Sequence, residues 1–108
     1  MAINHAECIE ACNRCAAYCD FCAASCLQEE NTKMMAECIR LDMQCAAICR
    51  LAAQYMAQGS EFAEQLCALC AEVCQACGEE CGKHDHDHCR DCADACMECI
   101  RECRRMAA

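Results

Sequence analysis

Nineteen of the 108 residues are cysteine, the side chain whose thiolate binds soft metal ions and attacks disulfides. They fall in four groups: Cys8, Cys12, Cys15, Cys19, Cys22 and Cys26; Cys38, Cys45 and Cys49; Cys67, Cys70, Cys74, Cys77 and Cys81; and Cys89, Cys92, Cys96, Cys99 and Cys103. Steps of three and four alternate within a group, with Asp42 at the place where the second group skips one. That spacing lays each group along one stripe of an α-helix.

Which chemistry such stripes serve follows from geometry and charge. Cβ atoms four residues apart on a helix are about 5–6 Å from each other, whereas a disulfide needs about 3.8 Å, so partners within a stripe cannot bridge. Bridges between helices stay open to the chain, but nineteen is odd and no secretory pattern of basic and then apolar residues occurs in Met1 to Cys8. A reducing, cytoplasmic setting is therefore expected. Treating cysteine as a small buried apolar residue leaves unexplained why so few core positions carry leucine. The CxxC spacings Cys12/Cys15, Cys67/Cys70 and Cys89/Cys92 match a redox dithiol, yet no βαβ context surrounds them. Iron–sulfur runs of the ferredoxin type are missing from the sequence. An enzyme is not expected.

Metal ligation accounts for the pattern. Soft thiolates in a water-poor core select Cu(I), Zn(II) or iron–sulfur clusters. Nineteen ionised thiols are neutralised by about one Cu(I) each. Four Zn(II), each held by four thiolates, bring eight positive charges and leave eleven negative ones uncompensated among the nineteen. Burying that much charge is prohibitive. Eight pairs one turn apart, from Cys8/Cys12 to Cys99/Cys103, suit an ion with two nearly opposed sulfurs and a third from a neighbouring helix. The expectation is many Cu(I) ions per chain, with a Zn(II) or Cd(II) buffer of metallothionein type as the alternative.

Other residues sit where ions would enter or leave. His84, His86 and His88 cluster in the segment from Lys83 to Cys89 and read as intermediate ligands between solvent and core. Asp42, on the stripe of Cys38 and Cys45, is either a ligand near one end or a buried carboxylate with a basic partner. His5, Met35, Met56 and Met106 continue the stripes, but methionine at helical spacing is ordinary core, and none is taken as a ligand.

The elements that must position these groups are helices. The chain has no proline, three glycines and twenty-one alanines, and leucine, isoleucine, valine and phenylalanine together number thirteen, too few for a conventional core. The pattern predicts helices over residues 4–29, 33–57, 61–81 and 86–105. Gly59 and Gly82 act as C-terminal stops, with Ser60, Asn31 or Thr32, and Asp85 or Asp87 as N-caps. Short connections force antiparallel neighbours, giving an all-α, up-down-up-down four-helix bundle, one domain over 1–108, with its cysteines inward. Apolar positions beside the stripes, Leu41, Ile48 and Tyr55 on the second helix and Phe62, Leu66, Leu69 and Val73 on the third, either widen the core or face another copy. The net charge of −9 argues against nucleic acid or anionic membrane as partners, and no run approaches the length of a membrane span.

The CxxxC pairs, the segment Cys67-Ala-Leu-Cys70 through Cys77-Gly78, the run Cys81-Gly82-Lys83-His84-Asp85-His86-Asp87-His88-Cys89, and Arg40-Leu41-Asp42 together resemble the cytosolic copper storage proteins of bacteria. The resemblance spans nearly the whole chain. It implies storage of many Cu(I) ions, a tetramer of bundles and cytosolic residence. It further implies that all nineteen cysteines are ligands, with Asp42 and the histidines at 84, 86 and 88 serving ions at the mouth. Exported relatives carry a Tat-type signal, which this chain lacks.

Overall fold

A chain rich in alanine, cysteine, glutamate and arginine, with no proline, stays helical until a polar turn or a glycine stops it. The computed structural model, which describes residues 4–107, contains four such helices: α1 (Ala6–Cys26), α2 (Ala36–Ala57), α3 (Ala63–Cys81) and α4 (Asp87–Ala107). Each packs against the two beside it in the order α1, α2, α3, α4 and back to α1. Sulfur contacts Cys8–Cys103, Cys22–Cys38 and Cys38–Cys81 join the beginning of one helix to the end of the next. The bundle is thus antiparallel, up-down-up-down, and measures 49 × 21 × 18 Å.

Helix ends depart from the sequence reading in several places. α1 stops at Cys26 rather than near 29, because the Leu27, Gln28 and Glu29 N–H groups turn back to Ala23, Ser25 and Cys26 carbonyls and the chain tightens into turns. Neither Asn31 nor Thr32 caps α2. A 3₁₀ turn, Thr32–Met35, precedes it, and the Thr32 hydroxyl donates to the Glu29 carbonyl at 2.9 Å. Gly59 is left-handed at φ 65°, as a helix-stopping glycine should be; Ser60 Oγ accepts the Phe62 N–H at 3.0 Å, but α3 opens at Ala63 with Phe62, not Ser60, at its N-cap. Gly82 instead keeps right-handed angles, φ −64°, so α3 ends without a left-handed residue. Asp85 and Asp87 give their carboxylates to Arg90. α4 runs on to Ala107 with Arg104 and Arg105 in its last turn, where positive charge complements the helix dipole.

All nineteen cysteines are buried, eighteen of them completely and Cys8 to 4 % exposure. Buried alanines, among them Ala16, Ala46, Ala52, Ala53 and Ala71, share the core with them, so the helices approach closely enough for side chains as short as cysteine to meet at the axis. Gly78 serves the same closeness, since a Cβ there would stand 3.2 Å from the Cys96 Cβ. Leu41, Ile48, Leu66 and Val73 lie half-buried against this core, while Phe62 and Leu69 are exposed. No described helix is long and apolar enough to cross a membrane.

Candidate metal centre

The four stripes converge on one axis, and sulfur there meets sulfur. Partners one turn apart lie 3.9–4.0 Å from each other at Cys15/Cys19, Cys22/Cys26, Cys45/Cys49, Cys70/Cys74 and Cys99/Cys103. Contacts between helices are as short or shorter: 3.4 Å for Cys38–Cys81, 3.5 Å for Cys45–Cys74, 3.6 Å for Cys49–Cys70 and for Cys19–Cys92. All nineteen thiols are free, far outside the roughly 2.05 Å of a disulfide. With metal–thiolate bonds of about 2.3 Å, the sulfurs of a trigonal site stand about 4.0 Å apart. The lining therefore already has the spacing of a three-coordinate thiolate lattice.

Four-thiol groups drawn from several helices also form, each within 4.8 Å, such as Cys22, Cys26, Cys38 and Cys89, or Cys19, Cys77, Cys92 and Cys96. Four-thiol sets, the number that zinc takes, are thus present. They overlap: Cys15, Cys19, Cys96 and Cys99 each belong to two. Independent zinc sites need disjoint sets, whereas bridging thiolates join two- and three-coordinate ions into a continuous chain.

Protonation of the metal-free lining follows from its dryness. Burial pushes the Cys89 thiol up to about 12 and raises Cys26 as well. At Cys67 the Cys103 thiol pulls downward, but Cys8 and burial outweigh it and leave the group at about 12. Elsewhere thiols act as donor to one neighbour and acceptor from another, so Cys103 holds Cys12 low and raises Cys8. A mostly protonated interior has to release protons as it takes up cations.

Asp42 is fully buried in a ring of thiols. Cys77, Cys92 and Cys81 point at its Oδ1 from 3.2, 3.3 and 3.4 Å, and Cys38 lies 3.7 Å from Oδ2. No basic side chain among the described residues pairs with it, so of the two sequence readings the ion-paired one fails. Burial lifts its carboxyl to about 10.

The three histidines are not equivalent. His88 reaches the core, with Nδ1 3.4 Å from Cys22 Sγ and 3.5 Å from Cys89 Sγ. Its Nε2 is 2.7 Å from Glu29 Oε2, a carboxylate that orients the ring as outer partners of metal-binding histidines do. His86 stacks on His88, ring centroids 5.3 Å apart, and stands 3.6 Å from the same Glu29 oxygen. His84 turns to Glu80 at 2.9 Å. The imidazole of His88 keeps the Glu29 carboxylate below its usual range. Glu29 went unnoticed in the sequence because nothing in Gln28 to Lys33 marks one acidic residue as facing a loop about 60 positions away. Beside these groups lies a cleft of about 460 Å³ bordered by Glu29, Met35, His84 and His86. His5, in line with the first stripe by register, is exposed at the other end, in left-handed geometry.

A four-helix bundle whose axis is a sulfur lattice, with histidine and carboxylate at one end, defines a container for soft metal ions. The chain belongs to the copper storage protein family, whose model it matches over residues 1–108. It is similar to the Cu(I)-bound copper storage protein Csp3 of Bacillus subtilis, with 52 % identity over 97 % of this chain and 100 % of that one and a TM-score of 0.92. It is also similar to the Streptomyces lividans protein Ccsp loaded with 10 copper equivalents, at 37 % identity over 98 % and 87 % of the two chains and a TM-score of 0.93. A cytosolic copper storage protein from the same organism, with five coppers, matches at 39 % identity over 95 % and 91 %, TM-score 0.92.

Proposed function

We propose that this protein is a cytosolic, reversible store for Cu(I). The nineteen cysteines are its ligands, filled to about one ion per thiol, and Asp42 and His88 serve ions near the mouth, with His84 and His86 outside them. The observation that carries this reading is the overlap of the four-thiol groups. A lattice of shared thiolates is neutral only when monovalent ions approach the thiols in number, whereas a few divalent ions would leave a large buried negative charge. Bound Cu(I) in relatives of the same family supports copper over the zinc or cadmium alternative. No bond to carbon is made or broken in such a role, so the protein works by exchange of ligands rather than as an enzyme.

The mouth gives the exchange a path. Glu29 and Glu80 lie against the histidines and draw cations toward them. His88 Nδ1, beside two core sulfurs, passes an ion from imidazole to thiolate. The storing unit is the four-helix bundle as one domain, and its assembly is a homotetramer. Phe21, Met43, Leu51 and Leu69 are exposed apolar side chains, surface that an assembly of copies would cover.

The deciding experiment is an anaerobic titration of the reduced protein with Cu(I) against a chromophoric Cu(I) chelator. Saturation near one ion per cysteine is expected. Saturation at one or two ions, or tighter binding of four or five Zn(II), refutes the storage reading.

A further inference from the structure

The end of the tube remote from the histidines is built differently. Cys15 contacts Cys45 at 3.8 Å and Cys96 at 3.7 Å, and Cys45 contacts Cys74 at 3.5 Å, which fixes one level of the bundle with a sulfur from each helix. Seven residues further along each helix, in the directions that antiparallel packing sets, come Cys8, Ala52, Cys103 and Cys67. The 3.9 Å contact of Cys8 with Cys103 confirms that level. Here α2 contributes alanine, fully buried and without a donor atom. Helical side chains lean toward the N-terminus of their own helix, so Met56, one turn beyond Ala52, folds back over the space that the alanine leaves. It is 2 % exposed, and its Sδ lies 3.6 Å from Cys67 Sγ, as close as the thiols deeper in the tube lie to one another.

Resting on the storage reading, we propose that Met56 Sδ is a copper ligand, and that with Cys67 it forms a mixed thiolate–thioether Cu(I) site at this end. The chemistry favours it on two counts. Thioether sulfur is soft and selects Cu(I) among the common ions. It is also neutral, so it raises the coordination of an ion at a level with three thiols instead of four without adding charge to be balanced. In the metal-free chain the Cys67 thiol donates to that sulfur, so when the proton leaves, both lone pairs already face one point between them.

Selenomethionine labelling makes the claim directly testable. The labelled wild type and a labelled Met56→Leu variant, similar in volume and polarity, are loaded anaerobically with Cu(I) and measured at the selenium K edge, with helical content and melting temperature compared first. The wild type is expected to show a selenium–copper scattering shell that the variant lacks. Equal spectra from two proteins that both load near one ion per cysteine would overturn the Met56 site and leave storage standing. Failure of the wild type to load beyond one or two ions would overturn storage, and the Met56 site with it.

Discussion

Replacing Asp42 by asparagine tests whether the interior is a neutral, protonated lattice before it is filled. The carboxyl is lifted to about 10 in the fold, against about 3.9 in an unfolded chain. Between those values the folded protein holds a proton that the unfolded chain has released. Stability therefore falls as pH rises through the window, and each unit removes about 1.4 kcal/mol. From pH 5 to pH 7, below the range where unfolded cysteines titrate, Asp42 alone destabilises the reduced, metal-free protein by about 2.7 kcal/mol. Asparagine is nearly isosteric with the protonated acid and loses no proton, so the stability of Asp42→Asn relative to wild type is expected to rise by about 2.7 kcal/mol between pH 5 and pH 7. Urea unfolding of both proteins under strict reduction, at three pH values, measures the difference. Contributions from the four histidines and from Glu29 cancel in the comparison. Parallel pH dependences for the two proteins would show that Asp42 is ionised in the fold, and the account of a neutral lining around it would fall.

Other consequences are simpler to check. Loading at constant pH should release close to one proton per Cu(I), measurable in weakly buffered solution with an indicator, and release near zero would mean that the thiols are ionised beforehand. His88→Ala should slow both Cu(I) uptake and removal by a chelator several-fold while capacity stays within one ion of wild type, whereas His84→Ala, whose ring is turned to Glu80, should change the rates far less. Stopped-flow transfer from a Cu(I) chelator separates the two. Gly78→Ala places a methyl 3.2 Å from the Cys96 Cβ and should destabilise the metal-free bundle by about 1–3 kcal/mol, read from denaturant midpoints.

The bundle was legible in the sequence because one signal, the alternation of three and four, was repeated through all four helices. The same signal placed every cysteine inside. Helix ends were less legible, since they depend on local bonds that composition does not rank. Gly59 and Gly82 look alike in sequence, yet only Gly59 takes the left-handed turn. Asp85 and Asp87 look like caps, yet Arg90 claims both. At the site, periodicity could say that Asp42 faces inward but not what faces it, because that depends on the levels of three other helices. It likewise could not separate His88 from His84 and His86. Three histidines at alternate positions look equivalent until the turn after α1 brings the Glu29 carboxylate 2.7 Å from His88 and 3.6 Å from His86, while His84 turns to Glu80. Met56 was set aside on sound grounds, since buried methionine is ordinary. Only the alanine one turn earlier on the same helix, together with the cysteine on the next, makes its sulfur conspicuous.

The choice of helix for this container has its own logic. A thiolate lattice must be dense to share ligands, yet the protein has to remain folded when the lattice is empty. Short side chains on α-helices meet both needs, because the backbone satisfies its own hydrogen bonds and leaves every cysteine free of structural duty except packing. The alanines between the stripes let the helices close to the distance at which sulfurs meet at 3.4–4.0 Å, so protonated thiols fill the axis without metal. Copper then exchanges for protons within a scaffold already in place. A chain that folded only around its metal would have to unfold in order to surrender its last ions. This one is folded with all nineteen thiols free, so giving up an ion takes an exchange of ligands and not an unfolding.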